Sequence, residues 1–228
     1  MGLIAAAVTI VLHRDSRGTP EILLVHRNPE LPVQGGIWAF PGGRIDPRDG
    51  ASPPDLQTAR NCAVRELTEE TGLRLQPAGL QPAARWITPE PIRPRFDTWI
   101  FCCEASSCDV RVDGREIVGH AWLTAESALQ AHHHGRLQLS PPAFVMLSLL
   151  DRTRDERRTW PLDEVLQFKA RLVESPQGRC AVYEGDSGYP DGDLERPGSR
   201  HRLWMRPGAW RYERRLDFMS VADAGGLA

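Results

Sequence analysis

The hydrophobic pattern of the first 150 residues predicts alternating strands and helices. Five runs of apolar and β-branched side chains are typical of strands. They lie at residues 4–12, 21–26, 37–40, 98–103 and 117–123. The third run ends at Pro41-Gly42-Gly43, which must leave the strand because proline and glycine interrupt regular pairing.

Three segments of this part predict helices. In the longest, Ser52 is placed to cap the helix, Pro53 would occupy the first helical position, and Gly72 would end it. Residues 124–131 predict a short helix, and Ser140 is placed to cap a third helix that runs to residue 150. Strands mixed with helices in this way predict the α/β fold class.

The pattern changes after Leu150. Residues 166–172 alternate between apolar and polar side chains, as in a half-buried strand, and residues 180–183 predict a second strand. Two further runs flank a turn at Pro207-Gly208 and predict a hairpin. Residues 185–199 are rich in glycine and predict a loop, which would act either as a lid over a cleft or as a packing flap.

These patterns predict two parts, a body at residues 1–150 and a β-rich C-terminal annex at residues 151–228. We expect the annex to pack on the body, because a segment of this size with long loops cannot bury a strong core alone.

Composition and charge narrow the class of protein. The chain has 228 residues with a formal net charge of −2, so it has no overall basic field that would attract nucleic acid. Its longest apolar run, residues 3–12, is about half of the ~20 residues that a membrane span needs. The five cysteines have no paired spacing and predict reduced thiols. We therefore expect a cytoplasmic protein without a membrane segment. These features leave open whether the protein forms a homodimer.

One acidic stretch carries candidate chemistry. On a helix, Glu66, Glu69 and Glu70 fall within roughly a third of the circumference, where like charges repel one another. Carboxylate oxygens of this kind bind Mg²⁺ in sites that also hold substrate phosphates. By geometry alone, the pattern favours the alternative, a solvated acidic face.

The order of residues favours the first interpretation. Gly43, followed later by residues 65–73 (RELTEETGL), resembles the Nudix box. This resemblance implies an α/β/α sandwich around a mixed sheet, and hydrolysis of a diphosphate linked to another moiety. It further implies that Glu66, Glu69, Glu70 and the Gly43 carbonyl bind Mg²⁺ or Mn²⁺. Glu66 would also position or deprotonate the attacking water, with Arg65 holding Glu66 in place.

The sequence departs from the box in one place. Counting back from Arg65, the box expects a glutamate where Gln57 stands, and thirteen residues instead of five separate Gly43 from that position. An insertion of eight residues has therefore opened the loop. Asp46, Asp49 or Asp55 could replace the missing carboxylate, and we expect Asp46 to do so, as an additional metal ligand, because it follows Gly43 closely.

A narrower resemblance extends from about residue 4 to residue 150. The segments 40–49, 85–90, 95–98 and 139–142 are similar to a bacterial branch related to the peroxisomal-type acyl-CoA diphosphatases. Leu23, Leu24, Arg27 and Gly36 match the coenzyme A signature of such enzymes. However, this chain has Asn28 where the signature has serine, and Pro32 where the signature has its second arginine.

Other residues complete the candidate site. Nudix enzymes often take an extra acidic residue, as a ligand or base, from a loop near the strand at residues 117–123, and Glu116 is the candidate here. Arg27, Arg85 and Arg95 are candidates for binding substrate phosphates, because guanidinium groups pair with phosphate through two hydrogen bonds. Ordinary solvent exposure is the alternative for Glu116, Arg85 and Arg95.

Together these features predict a Nudix pyrophosphohydrolase whose partner is a small-molecule diphosphate, with coenzyme A or acyl-CoA as candidates. ADP-ribose or a dinucleotide is the alternative substrate. A Nudix domain that binds its ligand without turnover is the alternative function, and Gln57 is the feature that favours it.

Overall fold

A mixed β-sheet forms the first of two units into which the chain divides, one ending at Lys169 and the other beginning at Ala170. The computed structural model describes residues 2–155 and 164–215. The strands of the first unit are β1 (Ile4–Arg14), β2 (Pro20–Arg27), β3 (Trp38–Ala39), β4 (Gly42–Arg44), β5 (Gln81–Ile87), β6 (Phe96–Glu104) and β7 (Ile117–Leu123). The helices are α1 (Leu56–Thr71), α2 (Ala125–His133) and α3 (Pro141–Asp155). The predicted α/β fold class with a mixed sheet is confirmed.

The sheet splits beside its central strand. β1 pairs with β6 in parallel. Near the turn that connects β1 to β2, these two strands pair in antiparallel register from Leu12↔Ile22 to Arg14↔Pro20. Farther from that turn, β4 lies beside β1 and β3 lies beside β2. Phe40 and Pro41 therefore cross between the separated strands, and Gly42 and Gly43 enter the gap next to β1.

Helix α1 packs on one face of this sheet. Ala59, Ala63 and Leu67 are fully buried and join a core cluster with Leu23 and Phe101 from the strands. The side chains of Ile10, Leu24 and Ile100 on the opposite face are also buried, while α2 contacts β7 and α3 contacts β3. The acidic margin of α1 is thus left beside the split in the sheet.

The N-terminus of α1 differs from the prediction. Asp55, not Ser52, caps the helix, because its carboxylate accepts hydrogen bonds from both the backbone N–H and the hydroxyl of Thr58. Ser52 and Pro53 lie in the preceding loop. The predicted end is confirmed, since Gly72 is left-handed with φ of 72° and its N–H donates to the Thr68 carbonyl.

The second unit is an antiparallel sheet. β8 (Leu166–Ser175) pairs with β5 through Leu166–Lys169, and its remaining residues pair with β9 (Gly178–Tyr183). β10 (Arg200–Met205) and β11 (Arg211–Arg215) complete the order β8-β9-β10-β11. The predicted strands and hairpin are confirmed, whereas the packing of the annex on the body stays a prediction.

The glycine-rich loop is a packing flap on the sheet of the second unit. Its Tyr189 and Leu194 pack on the buried side chains of Cys180, Val182 and Trp204. The loop is fixed by Asp186, whose carboxylate forms a fully buried ion pair with Arg202 at 2.6 Å.

Candidate active site

Two glycines bring the backbone at the split in the sheet against α1. The Gly42 N–H donates to Glu70 Oε2 at 2.8 Å. A Cβ on Gly42 would lie 2.3 Å from the Ala7 carbonyl oxygen, and one on Gly43 would lie 2.5 Å from Glu66 Oε1. A side chain on Gly42 would therefore clash with the backbone of β1, and one on Gly43 would displace the Glu66 carboxylate.

The three glutamates of α1 occupy different environments. Glu70 is buried and Glu66 is largely buried, whereas the side chain of Glu69 is 51% exposed. Burial raises the pKa of Glu70 to about 8; the charges of Glu66 and Glu116 also raise it, while the Gly42 N–H and Arg27 lower it. Burial likewise raises the pKa of Glu66, although Arg65 opposes that shift. Ionisation of these two carboxyl groups is therefore disfavoured in the absence of a cation, because water cannot fully solvate them.

Arg65 holds this acidic cluster together. Its Nη1 donates to Glu66 Oε1 at 2.9 Å and to Glu69 Oε2 at 3.0 Å. Its Nε and Nη2 donate to the two carboxylate oxygens of Asp49 at 2.7 and 2.9 Å. The Asp49 bonds are the largest cause that raises the pKa of Arg65, so the guanidinium remains charged. The contact between Arg65 and Glu66 that the resemblance implies is present.

Asp49 takes the place that sequence counting gave to Gln57. Five residues separate Gly43 from Asp49, which is the spacing of the box when it is counted forward. The insertion therefore follows the acidic residue instead of preceding it. Gln57 is exposed, and its amide donates to Asn61 Oδ1. Burial raises the pKa of Asp49, but hydrogen bonds from Arg65 and the Asp46 N–H outweigh it and leave the net pKa below its ordinary value.

Asp46 lies in a different environment from the one we expected. Its carboxylate caps the 3-10 turn Pro47–Asp49, accepting the Arg48 N–H at 3.0 Å, and its side chain is 45% exposed. This turn directs Asp49 toward α1, where its side chain is only 3% exposed. None of the hydrogen bonds or ion pairs of Asp46 among the described residues reaches a glutamate of α1. The structure thus brings Asp49, and not Asp46, into contact with Arg65.

Two residues one turn or less before Arg65 support the same network, and the sequence analysis missed them. The Asn61 amide donates to the Asp49 carbonyl at 2.8 Å. The Cys62 thiol donates to the Arg44 carbonyl at 3.3 Å, and Arg65 Nη2 lies 3.6 Å from its sulfur. Burial raises the pKa of Cys62 to about 12, so it remains a neutral thiol. Their helical spacing from Arg65 was the available signal.

Arg27 and Glu116 meet at the same end of the sheet. Arg27 pairs with Ile117, and the next backbone N–H, that of Asn28, donates to the Glu116 carbonyl at 2.8 Å. Glu116 is exposed, and its charge contributes to the raised pKa values of Glu66 and Glu70. The buried Arg27 Nε has no hydrogen-bond partner among the described residues. A guanidinium with an unused donor thus lies near the buried Glu70.

Arg85 and Arg95 already have protein partners. Arg85 forms two hydrogen bonds with the Asp97 carboxylate, at 2.7 and 2.6 Å, and its guanidinium lies over the Trp99 ring. Arg95 Nε donates to the Thr88 carbonyl at 3.1 Å. None of their hydrogen bonds or ion pairs in the described part of the chain reaches the acidic cluster. The substrate-binding role of both arginines stays a prediction.

The donor atoms suit a hard divalent cation. Over residues 2–155 and 164–215, no three His, Cys, Asp or Glu side chains are grouped closely enough to hold a metal ion in this arrangement. Glu66 and Glu69 share Arg65 instead. Yet the cluster offers only oxygen donors, including a buried carboxyl group whose ionisation a cation would favour. The chemistry of the residues therefore fits Mg²⁺ or Mn²⁺.

Comparisons with known proteins identify a family and a shared fold. The profile of the family described as NUDIX domain matches residues 3–141. A NUDIX hydrolase from Alicyclobacillus acidocaldarius has a similar structure, with a TM-score of 0.58 and 23% identity over 66% of this chain and 91% of that one. The NUDIX domain of Shewanella oneidensis NrtR, solved with ADP ribose, has a TM-score of 0.52 and 17% identity over 69% of this chain and 90% of that one. At such identities the two structures establish a shared fold. None of the described helices is long and apolar enough to cross a bilayer.

Proposed function

Because the chain belongs to the Nudix family, we propose that it is a metal-dependent pyrophosphohydrolase that cleaves the diphosphate of a nucleoside diphosphate linked to another moiety. The family indicates hydrolase activity on nucleoside diphosphate derivatives and generally uses divalent ions such as Mg²⁺ or Mn²⁺. The observation that supports the proposal most is that Gly42 binds Glu70 and Gly43 lies against Glu66, whose carboxylate is held by Arg65. Asp49 in turn holds Arg65.

Each residue of the cluster has a proposed role. Glu66, Glu69, Glu70 and the Gly43 carbonyl would hold the cation, which neutralises diphosphate charge and lowers the pKa of water. Glu66 orients the attacking water, and Arg65 keeps the Glu66 carboxylate in place. Glu116 supplies a further carboxylate as a ligand or base.

The arginines differ in the support they have for binding phosphate. Arg27 has an unused donor close to Glu70, so it is the first candidate to pair with the diphosphate. Arg85 is bound to Asp97, and pairing with a substrate phosphate would require it to release that carboxylate. Asp46 remains a candidate metal ligand only if its turn rearranges, because its carboxylate caps that turn.

Coenzyme A and acyl-CoA remain candidate substrates, with ADP-ribose or a dinucleotide as the alternative. Asn28 weakens the coenzyme A assignment, because its amide is used to bind the Arg115 carbonyl. The NrtR domain binds ADP ribose, which supports testing that compound here. The alternative of a binding domain without turnover rests on Gln57. It is weakened by Asp49, which follows Gly43 at the spacing of the box and binds Arg65.

A screen of diphosphates tests the proposal. The purified chain is incubated with coenzyme A, acetyl-CoA, ADP-ribose and a dinucleotide, each with Mg²⁺ or Mn²⁺, and the products are identified by mass. We expect two phosphate monoesters from at least one compound. Glu66→Gln should abolish that product, and Glu126→Gln on α2 should not. Intact compounds in every reaction would contradict the proposal.

A further inference from the structure

The turn before β7 is fastened around Glu116 by two polar side chains. The Asp113 carboxylate accepts the Glu116 N–H at 3.0 Å and the Ile117 N–H at 2.8 Å. On the other side, the Asn28 N–H donates to the Glu116 carbonyl, and its side-chain amide donates to the Arg115 carbonyl at 2.9 Å. The peptide groups on both sides of the Glu116 Cα are therefore bound.

This fastening connects the turn to the end of the sheet that carries the acidic cluster. Asn28 directly follows Arg27, which pairs with Ile117 next to a break in the β2–β7 register. Gly114 turns the chain in the left-handed region with φ of 70°, and its N–H donates to the Ile117 carbonyl.

Glu116 itself has little else to keep it in place. Glu116 is exposed, and among the described residues its hydrogen bonds are all made by its backbone. A carboxylate that meets water or a cation must be placed accurately, because a displacement of ~1 Å in a catalytic arrangement can cost about a hundredfold in rate. The four hydrogen bonds from Asp113 and Asn28 fix the backbone from which this carboxylate extends.

We propose that Asn28 and Asp113 are positioning residues that set where the Glu116 carboxylate stands relative to Glu66 and Glu70. This inference rests on the proposed function, in which Glu116 is a ligand or base. In this inference, the side-chain amide of Asn28 binds the Arg115 carbonyl instead of a substrate.

A double-mutant cycle tests the inference. Asp113→Ala and Asn28→Ala are made in the wild-type chain and in Glu116→Gln, and kcat and KM are measured on the best-cleaved compound of the screen. We expect each single change to lower kcat by ~10-fold or more, while KM changes less, and to cause no further loss in Glu116→Gln. Asp113→Asn, which keeps one acceptor oxygen, should retain part of the rate and serves if Asp113→Ala does not fold.

The control is Asp15→Ala. Asp15 likewise accepts two backbone N–H groups, those of Arg17 and Thr19, but in the turn at the other end of β2. We expect its kcat to equal that of the wild type. Amide hydrogen exchange provides a readout without turnover: exchange at Glu116 and Ile117 should be faster in Asp113→Ala.

Two results would overturn the inference. One is a loss of kcat from Asp113→Ala or Asn28→Ala that is just as large in Glu116→Gln. The other is unchanged amide exchange at Glu116 and Ile117. Either result leaves the proposed hydrolase function intact if the wild type cleaves a diphosphate, whereas a wild type that cleaves none overturns both.

Discussion

Replacing Asp49 by asparagine tests which acidic residue completes the catalytic cluster. The change keeps the shape of the side chain but removes its charge, and it leaves one acceptor oxygen for two donors of Arg65. Asp49 is 3% exposed, so water cannot replace the lost bond. A hydrogen bond between charged groups contributes ~1.5–3 kcal/mol, and we expect the free energy of unfolding to fall by about that amount.

The effect on turnover should be larger than the effect on folding. With Asp49 neutral, the Arg65 guanidinium is drawn only toward Glu66 and Glu69, which displaces the carboxylates that would hold the cation. A shift of ~1 Å costs about a hundredfold in rate. We expect Asp49→Asn to lower kcat by roughly 10- to 100-fold and to raise the Mg²⁺ concentration that gives half-maximal rate.

Two matched variants make the experiment decisive. Asp46→Asn alters a half-exposed carboxylate that interacts with Arg48, and Gln57→Ala removes an exposed amide that donates to Asn61. Exposed interactions of this kind contribute under about 1 kcal/mol. We therefore expect both variants to match the wild type in Mg²⁺ titrations of initial rate and in urea unfolding. The reasoning is wrong if Asp46→Asn or Gln57→Ala shifts the metal dependence while Asp49→Asn does not.

Three further outcomes can be measured. Glu69→Gln should lower turnover at least ~10-fold at saturating Mg²⁺, because cation binding contributes several kcal/mol. Its free energy of unfolding in urea should change by under about 1 kcal/mol, because the side chain is half exposed. Turnover equal to that of the wild type would contradict the metal role. Asp186→Asn should cost ~3–5 kcal/mol in urea unfolding, because it leaves the buried Arg202 charge uncompensated; a loss below ~1 kcal/mol would show that the ion pair is not a determinant of stability. His132 accepts the Leu139 N–H, and burial, with a smaller effect of His133, lowers its pKa to about 4. The unfolded chain therefore takes up the proton first as pH falls from about 6.5 to 4, so the wild type should lose stability in that window, by on the order of 1–2 kcal/mol. When the free energies of unfolding at pH 7 and pH 5 are compared, His132→Gln should lose less stability than the wild type. Equal losses would exclude His132 as a cause.

Features that depend on neighbours along the chain could be predicted from the amino-acid order. Gly72 ends α1 and the Ser140 hydroxyl accepts an N–H group at the start of α3, as predicted. The helix predicted at residues 124–131 is α2, and the Thr124 hydroxyl caps it. The position of Glu66, Glu69 and Glu70 on one side of a helix is equally local, because it follows from helical periodicity. The glycine-rich loop and the hairpin of the second unit were predictable for the same reason.

Some local features misled the sequence analysis. β5 was not predicted as a strand, because Pro82 and Arg85 interrupt its apolar pattern, although it pairs with both β6 and β8. The N-cap of α1 is Asp55 instead of the predicted Ser52, because the Asp55 carboxylate accepts hydrogen bonds from the backbone N–H and the hydroxyl of Thr58. At the N-cap the two candidates, Ser52 and Asp55, are close in sequence, and hydrogen bonds decide between them.

Contacts between distant residues could not be read from the sequence. Asp46, Asp49 and Asp55 were all compatible with it as the acidic residue of the box, and the 3-10 turn at Pro47–Asp49 favours Asp49 by directing its carboxylate to Arg65. In the same way, the split between β1 and β2 brings Gly43 against Glu66. Such contacts depend on the path of the chain through space, and periodicity and spacing describe only the path along the chain.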